Sequence, residues 1–312
     1  MKFPFKLARN KQFDAVGFGT NAVDYLIVVP EYPEKYGKIQ LTEHYKFAGG
    51  EVATTMVGLQ RLGLKTSYIG SFGDDDDGKF GLKTMIDEGV DVTFAKQIKN
   101  AKTQIAYIII DRRNGERTVI WDRDSKLSID EKNVQIENAS LGKILHFTPH
   151  DTAACLKLAK AASLSNTIVS IDVDNIFEGI TKLLESVDIL ISSQEFPEKL
   201  VGIKDKKKAL LEMKSRFGCG IVGMTLGDKG SLLLCEDTFI KTPCFDVPNG
   251  CKDTTGAGDA FRVGLLYGLL NRESVEESAR MANGVAALKC REIGARTSLP
   301  NNEELNELLS FS

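Results

Sequence analysis

The stretch Asp253-Thr-Thr-Gly-Ala-Gly-Asp-Ala-Phe-Arg262 decides how this chain is read. Gly256 and Gly258 carry no side chains, so their backbone N–H groups can come close to an anion. A helical apolar segment, about Ala257 to Leu270, follows and aims its N-terminus at the same spot. Fixed N–H donors plus the helix dipole make a phosphate site. Asp259 falls in the first turn, where a carboxylate can accept a proton from an attacking hydroxyl. Ala260, Gly264 and Gly268 recur every four residues and thin one helix face for close packing on a sheet. The competing reading is an ordinary helix start with Asp259 as a favourable first-turn charge.

Around this segment the chain alternates strand and helix. Short apolar runs at Phe13–Phe18, Tyr25–Val29, Ile144–Phe147, Ile168–Asp172, Ile189–Ser192, Ile221–Leu226 and Ser231–Leu234 read as buried strands, and Thr66–Phe72 as one more. Glu51–Leu62, Lys79–Asp87, Asp151–Ala162, Thr181–Leu184, the Lys-rich 205–217 and Val275–Leu288 read as helices. Repeated strand–helix–strand units imply a mostly parallel sheet covered on both faces. Gln104–Ile110 and Glu116–Trp121 flank Asn114-Gly115, a two-residue hairpin signal that interrupts the rhythm and predicts a small β layer.

The 312 residues carry 42% apolar and 27% charged side chains, a globular composition that excludes a fully disordered chain. The formal charge of −3 gives no general pull toward nucleic acid or an anionic membrane, and no aromatics interleave the lysines at 204–208. No stretch approaches the ~18 apolar residues of a membrane span, and residues 1–10 are too short and too charged for a signal peptide. Six scattered cysteines (Cys155, Cys219, Cys235, Cys244, Cys251, Cys290) show neither Cys-x-x-Cys pairs nor histidines at metal spacing. Reduced thiols and a cytoplasmic location are the expectation. Gly17-Phe-Gly-Thr-Asn-Ala22 fits a dinucleotide fingerprint in letters, but a strand follows where that fingerprint needs a helix. In the acidic run Asp74–Asp77, Asp74 is expected to start a helix, with the others solvated near its positive end.

The 253–261 string resembles, almost residue for residue, the C-terminal signature of the ribokinase-like (PfkB) carbohydrate and nucleoside kinases. Phe47-Ala-Gly-Gly50, the helix after it, Leu62-Gly63 and Gly70-Ser-Phe-Gly-Asp74 resemble the N-terminal signature. Order and spacing agree over about residues 13–300. The resemblance implies a three-layer α/β/α fold with a mostly parallel sheet and a small β-sheet lid. The whole chain, 1–312, is then one kinase domain, with lid segments at about 24–47 and 103–124.

The same resemblance implies an ATP-dependent kinase with Asp259 as catalytic base and the amides of Thr255, Gly256, Ala257 and Gly258 as anion hole. Asp24, Gly49 and Gly50 would hold the acceptor. Arg123, by its place just after the hairpin, reads either as touching it from the lid or as one half of a surface ion pair. Thr225-Leu-Gly227-Asp-Lys-Gly230 is similar to the nucleotide loop, with Ser193, Thr255 and Asn283 as further nucleotide contacts. Its alternative is a plain hairpin turn. Glu195 would serve Mg²⁺ through water. The family often shows Asn-x-x-Glu here; this chain has Ser193 and Glu195, with Phe196 where that glutamate would fall, a drift similar to that of ketohexokinase-like members. Asp253 and Thr255, with backbone oxygens near Ala287 and Gly294, match a monovalent-cation site, hence K⁺. Thr54 replaces the asparagine of many sugar kinases, so acceptor contacts differ from those of ribokinase. The expected partners are a small sugar and ATP, and a second copy through the β lid. A nucleoside kinase, stacking its base on Phe47, Tyr107 or Trp121, and a non-catalytic ligand-binding member are the alternatives.

Overall fold

Strand residues of the main sheet alternate between two apolar cores, which fixes both the register and the layering. The computed structural model describes residues 1–310. In chain order it runs β1 (Phe13–Phe18), β2 (Ala22–Val29), β3 (Glu43–Gly49), α1 (Glu51–Arg61), β4 (Thr66–Ile69), β5 (Ser71–Gly73) and α2 (Asp76–Asp87). Then come β6 (Lys96–Ile98), β7 (Ile105–Asp111), β8 (Arg117–Asp122), β9 (Gly142–Phe147), α3 (Thr152–Leu164), β10 (Ile168–Val173), α4 (Ile180–Leu184), β11 (Ile189–Ser192), α5 (Phe196–Val201) and α6 (Lys206–Phe217). The chain continues with β12 (Ile221–Thr225), β13 (Ser231–Cys235), β14 (Thr238–Thr242), α7 (Ala257–Leu270), α8 (Val275–Lys289) and α9 (Asn302–Ser310).

The eight-stranded sheet has the order β14-β13-β12-β11-β10-β9-β1-β4. β4, β1, β9, β10, β11 and β12 are parallel, and β13 and β14 add an antiparallel edge. Ala15, Ile144, Ile168, Ile189 and Ile221 face one core with α1, α7, α8 and α9. Their neighbours Val16, Leu145, Val169, Leu190 and Val222 face the other with α3, α4 and α6. Period-two alternation with both faces apolar is what a sheet covered by helices on both sides requires. The result is the expected three-layer α/β/α arrangement.

A second sheet of order β3-β2-β7-β8 stands apart from the first. Phe47, Asp24, Ala106 and Trp121 lie in one cross-strand row. That row shares its face with Leu26, Val28, Ile108 and Ile110, the apolar side of the sheet. Tyr25, Tyr107 and Ile120 form the neighbouring row on the outer face, where Tyr25 and Tyr107 stack at 5.5 Å.

Local chemistry corrects several expectations. Thr66–Phe72 is not one strand: it breaks at Gly70, where a Cβ would stand 2.1 Å from the Tyr68 hydroxyl, and β5 pairs with β6 instead. Asp75, not Asp74, caps α2: its carboxylate accepts from Gly78 N at 2.8 Å and from Thr103 Oγ1 at 2.6 Å, a cap worth about 1 kcal/mol. Asp77 is not merely solvated, because it pairs with Lys46 at 2.7 Å. The β7–β8 turn is longer than two residues: Asp111 N bonds Glu116 O, with Gly115 at φ +73° inside the loop.

Candidate active site

Loops after the parallel strands converge at their carboxyl ends, beside the point between β1 and β9 where the strand order reverses. Open parallel sheets bind ligands there. Thr20 follows β1, His150 follows β9, Asp172 lies in β10, Ser193 follows β11, and Thr225 ends β12. Two helix N-termini close the same region, those of α1 and α7.

Helix α7 has Gly256 as its cap residue at φ +77°, with no side chain capping it. A Cβ at 256 would stand 2.9 Å from Ala295, so sterics and dihedral both demand glycine. Not all the expected amides are free. Thr255 N donates to Asp253 Oδ1 at 2.8 Å, and Ala257 N donates to Thr254 O at 3.1 Å. Among the described residues no acceptor meets the N–H groups of Gly256, Gly258 and Asp259. Those three donors, rather than the run 255–258, are free to receive an anion.

Asp259 sits beside them. Burial holds its carboxyl well above the usual aspartate range, and the Asp172 and Glu51 carboxylates add to the shift, while Arg262 and Arg117 oppose it. Arg262, 3% exposed, forms an ion pair with Asp172 and donates from Nη1 to Gly258 O at 2.9 Å and from Nη2 to Ile191 O at 3.3 Å. One guanidinium thus ties the anion loop to the ends of β10 and β11. Nothing in the sequence singled it out; its position one turn after Asp259 was the available signal.

The second cluster surrounds Asp24 of β2, which is 4% exposed. A Cβ on Gly49 would fall 2.0 Å from Asp24 Oδ2, so the carboxylate occupies the space a side chain would take. Gly50 has φ +88° and packs on the Asn21 backbone. Beneath them runs Arg296, 7% exposed, which donates to Gly49 O and, at 3.3 Å, to Thr54 Oγ1. Thr54 therefore supports the arginine that holds the glycine pair. Burial lifts Asp24 to about 7 even though Arg296 pulls the other way. Glu51, at the start of α1, is likewise lifted to about 7 by burial; its Oε2 accepts from Thr20 Oγ1 at 3.0 Å. His150 stands 3.7 Å from Glu51, with burial pushing its imidazole toward the neutral form. Its ring lies between Phe177 at 5.2 Å and Trp121 at 6.3 Å. Buried polar atoms that find no hydrogen-bond partner among the described residues include His150 Nδ1, Thr255 Oγ1, Arg262 Nε and Arg296 Nη1. Such atoms need partners from outside the chain, water or a ligand.

The raised pKa of Asp24 carries a stability consequence. Its carboxyl keeps a proton in the fold up to about 7, whereas the unfolded chain releases it near 3.8. The fold thus binds the extra proton between those values, and stability falls as pH rises through that window. Asp24→Asn removes the penalty. We expect its melting temperature to exceed wild type at pH 8 and to match it near pH 4; paired thermal melts check this.

Other expected site residues fall elsewhere. Arg123 does not reach toward an acceptor: it is 3.1 Å from Asp151 and 3.2 Å from Ser128 Oγ. Asn283 is 5% exposed and spends its amide nitrogen on Ser231 Oγ and Ala279 O. It is a strut between α8 and β13. Gly227 has φ +61° and opens to solvent, while Gly230, at φ +82°, is pressed against Thr242 O in an antiparallel β12–β13 turn. Glu195 is exposed at the end of β11, and Phe196 is a fully buried core residue. Of the aromatics expected near a base, Phe47 and Trp121 share the row of Asp24, and Tyr107 lies on the outer face.

One contact was not foreseen. The turn between β7 and β8 rests on the anion loop, with Thr254 N donating to Gly115 O at 3.3 Å and Arg117 Nη1 3.3 Å from Thr254 Oγ1.

Comparison with known proteins agrees with this geometry. The pfkB family carbohydrate kinase model matches residues 17–302. Fructokinase-1 of Zea mays is 28% identical, over 94% of this chain and 97% of its own length. A nucleoside kinase of Methanocaldococcus jannaschii is 26% identical, over 93% and 95%. The Arabidopsis thaliana ribokinase structure with ribose and ATP superposes with a TM-score of 0.81 at 23% identity, covering 96% of this chain and 99% of that one. The chain therefore belongs to the pfkB family of carbohydrate kinases.

Proposed function

We propose that this protein transfers the γ-phosphoryl group of ATP to a hydroxyl of a small, unphosphorylated sugar or sugar-like polyol. The observation that carries the reading is the uncapped N-terminus of α7 with Asp259 in its first turn. Asp259 accepts the hydroxyl proton. The N–H groups of Gly256, Gly258 and Asp259 take the charge of the transferred group, and Arg262 holds their loop in place. Arg117 brings a positive charge to the same loop from the second sheet.

Asp24 accepts hydroxyl hydrogen bonds from the acceptor, with Gly49 and Gly50 allowing close approach. Glu51 and Asp172 add negative potential. A phosphorylated sugar would bring its own negative charge against these carboxylates, which favours an unphosphorylated acceptor. The nucleotide lies along Thr225, Gly227 and Gly230, near Ser193 and Thr255. The exposed carboxylate of Glu195 fits a water-mediated contact to the Mg²⁺ that enters with ATP, since that ion keeps most of its waters. Mg²⁺ neutralises the phosphates when bound. The second sheet acts as a lid whose Trp121, with His150 of the loop after β9, covers the acceptor and excludes water. Exposed Tyr107 and Ile120 on its outer face support pairing of two chains, which sedimentation showing only monomer would contradict. A nucleoside acceptor is the second reading, favoured by Trp121 and Phe47 on the inner row.

The test is ADP release with Mg²⁺ and ATP across free sugars, polyols, nucleosides and sugar phosphates. The expected outcome is turnover with one unphosphorylated class. Turnover with sugar phosphates alone would contradict the acceptor assignment.

A further inference from the structure

The resemblance to sugar kinases points to a monovalent cation at Asp253 and Thr255, but the residues present do not fit one. The Lys289 ammonium, at the last turn of α8, donates to Asp253 O at 2.7 Å and lies 3.8 Å from Asp253 Oδ2. Both side chains are fully buried. The Asp253 carboxylate is already shared out: Oδ1 accepts from Thr255 N and Oδ2 from Gly294 N, each at 2.8 Å. Ser298 Oγ in turn donates to Lys289 O, which fixes the end of the helix that carries the ammonium. A metal ion using the same Asp253 oxygens would sit within a few ångströms of a fully buried positive charge, where a low dielectric leaves the repulsion strong.

We propose that Lys289 is a built-in monovalent cation, and that this chain needs no potassium to hold its anion loop. The ammonium offers one charge and three donors. It binds both the carbonyl and the carboxylate of the residue that begins the loop. Asp253 passes that constraint through Thr255 N to the free amides of Gly256 and Gly258. Lys289 is therefore a positioning residue, which touches neither ATP nor acceptor. The inference deepens the kinase reading, resting on its assignment of 253–259 as the phosphoryl-binding loop.

The test compares K⁺, Na⁺ and tetramethylammonium chlorides at equal ionic strength. Wild type is expected to show the same melting temperature and the same kcat in all three. Lys289→Ala should lose about 10²-fold in kcat, the order that a small misplacement of reacting groups costs, with the acceptor KM little changed. It should regain melting temperature and rate in K⁺ or NH₄⁺ but not in tetramethylammonium. A wild-type rate or melting temperature that rises specifically with K⁺ would overturn the proposal, and this arm decides even if the variant fails to fold. A Lys289→Ala chain with unchanged kcat would overturn it too. Failure of the kinase reading looks different: no turnover in any salt, with the melting arm still reporting whether K⁺ binds.

Discussion

Asp259→Asn should lower kcat by about 10³-fold, within the 10²–10⁴ range of a positioned general base, while leaving ATP binding close to wild type. Asparagine keeps the shape of the side chain and its place in the first turn of α7, so the N–H groups of Gly256 and Gly258 stay presented to the phosphates. On the proposed mechanism, what disappears is the group that accepts the proton. The pH profile follows from the same environment. Burial and the nearby Asp172 and Glu51 carboxylates hold the Asp259 carboxyl above its ordinary value of 3.8. Its basic form is lost as pH falls through that raised value, so wild-type kcat/KM should decline toward acid from nearer neutrality than an ordinary aspartate would give. Asp24 and Glu51, both lifted to about 7, bend the profile in the same direction. Rate measurements from pH 5 to 9 check the limb. Variant and wild type compared at pH 8 give the factor.

The second large effect is on stability. Arg262→Met removes the cation of a buried ion pair and leaves Asp172 beside Asp259 and Glu51 without its main positive partner. Breaking a buried pair from one side costs about 3–5 kcal/mol. The loss should be greatest at pH 8 and smaller at pH 5, because Asp172, already held above its usual range by burial, escapes the penalty by taking up a proton. Arg262 also anchors Gly258 O and Ile191 O, so the variant should bind ATP more weakly and move the acid limb of kcat/KM to higher pH. Denaturant melts at the two pH values separate the electrostatic part from the packing part, since lost packing would cost the same at both.

Much of this arrangement was legible in the letters. Asp253 to Arg262 announced a glycine loop opening a helix, and α7 begins and ends at the expected Ala257 and Leu270. The apolar runs announced a buried parallel sheet because strands covered on both faces need no polar residues. Hidden were the features decided by tertiary contact. Gly70 looked like mid-strand until the Tyr68 hydroxyl filled the space above it. Arg296 lies 272 positions along the chain from Asp24, and no local pattern links them. Lys289, just past the expected end of the Val275–Leu288 helix, sits fully buried on Asp253, a contact no local pattern marks. Arg123 and Asn283 carried the right chemistry for ligand contact, but Asp151 and Ser231 hold them first. Residue type marks what a side chain can do; the fold decides which partner reaches it.

In the proposed reaction this site moves a phosphoryl group from ATP to an unphosphorylated acceptor with Asp259 as base. Mass spectrometry of the acceptor after incubation with MgATP tests it most directly, with wild type and Asp259→Asn run at matched nucleotide saturation. The account predicts one added phosphoryl group on an unphosphorylated sugar, polyol or nucleoside with wild type, and its near disappearance with the variant. Equal product from both chains, or bound ATP with no acceptor gaining mass, would contradict it.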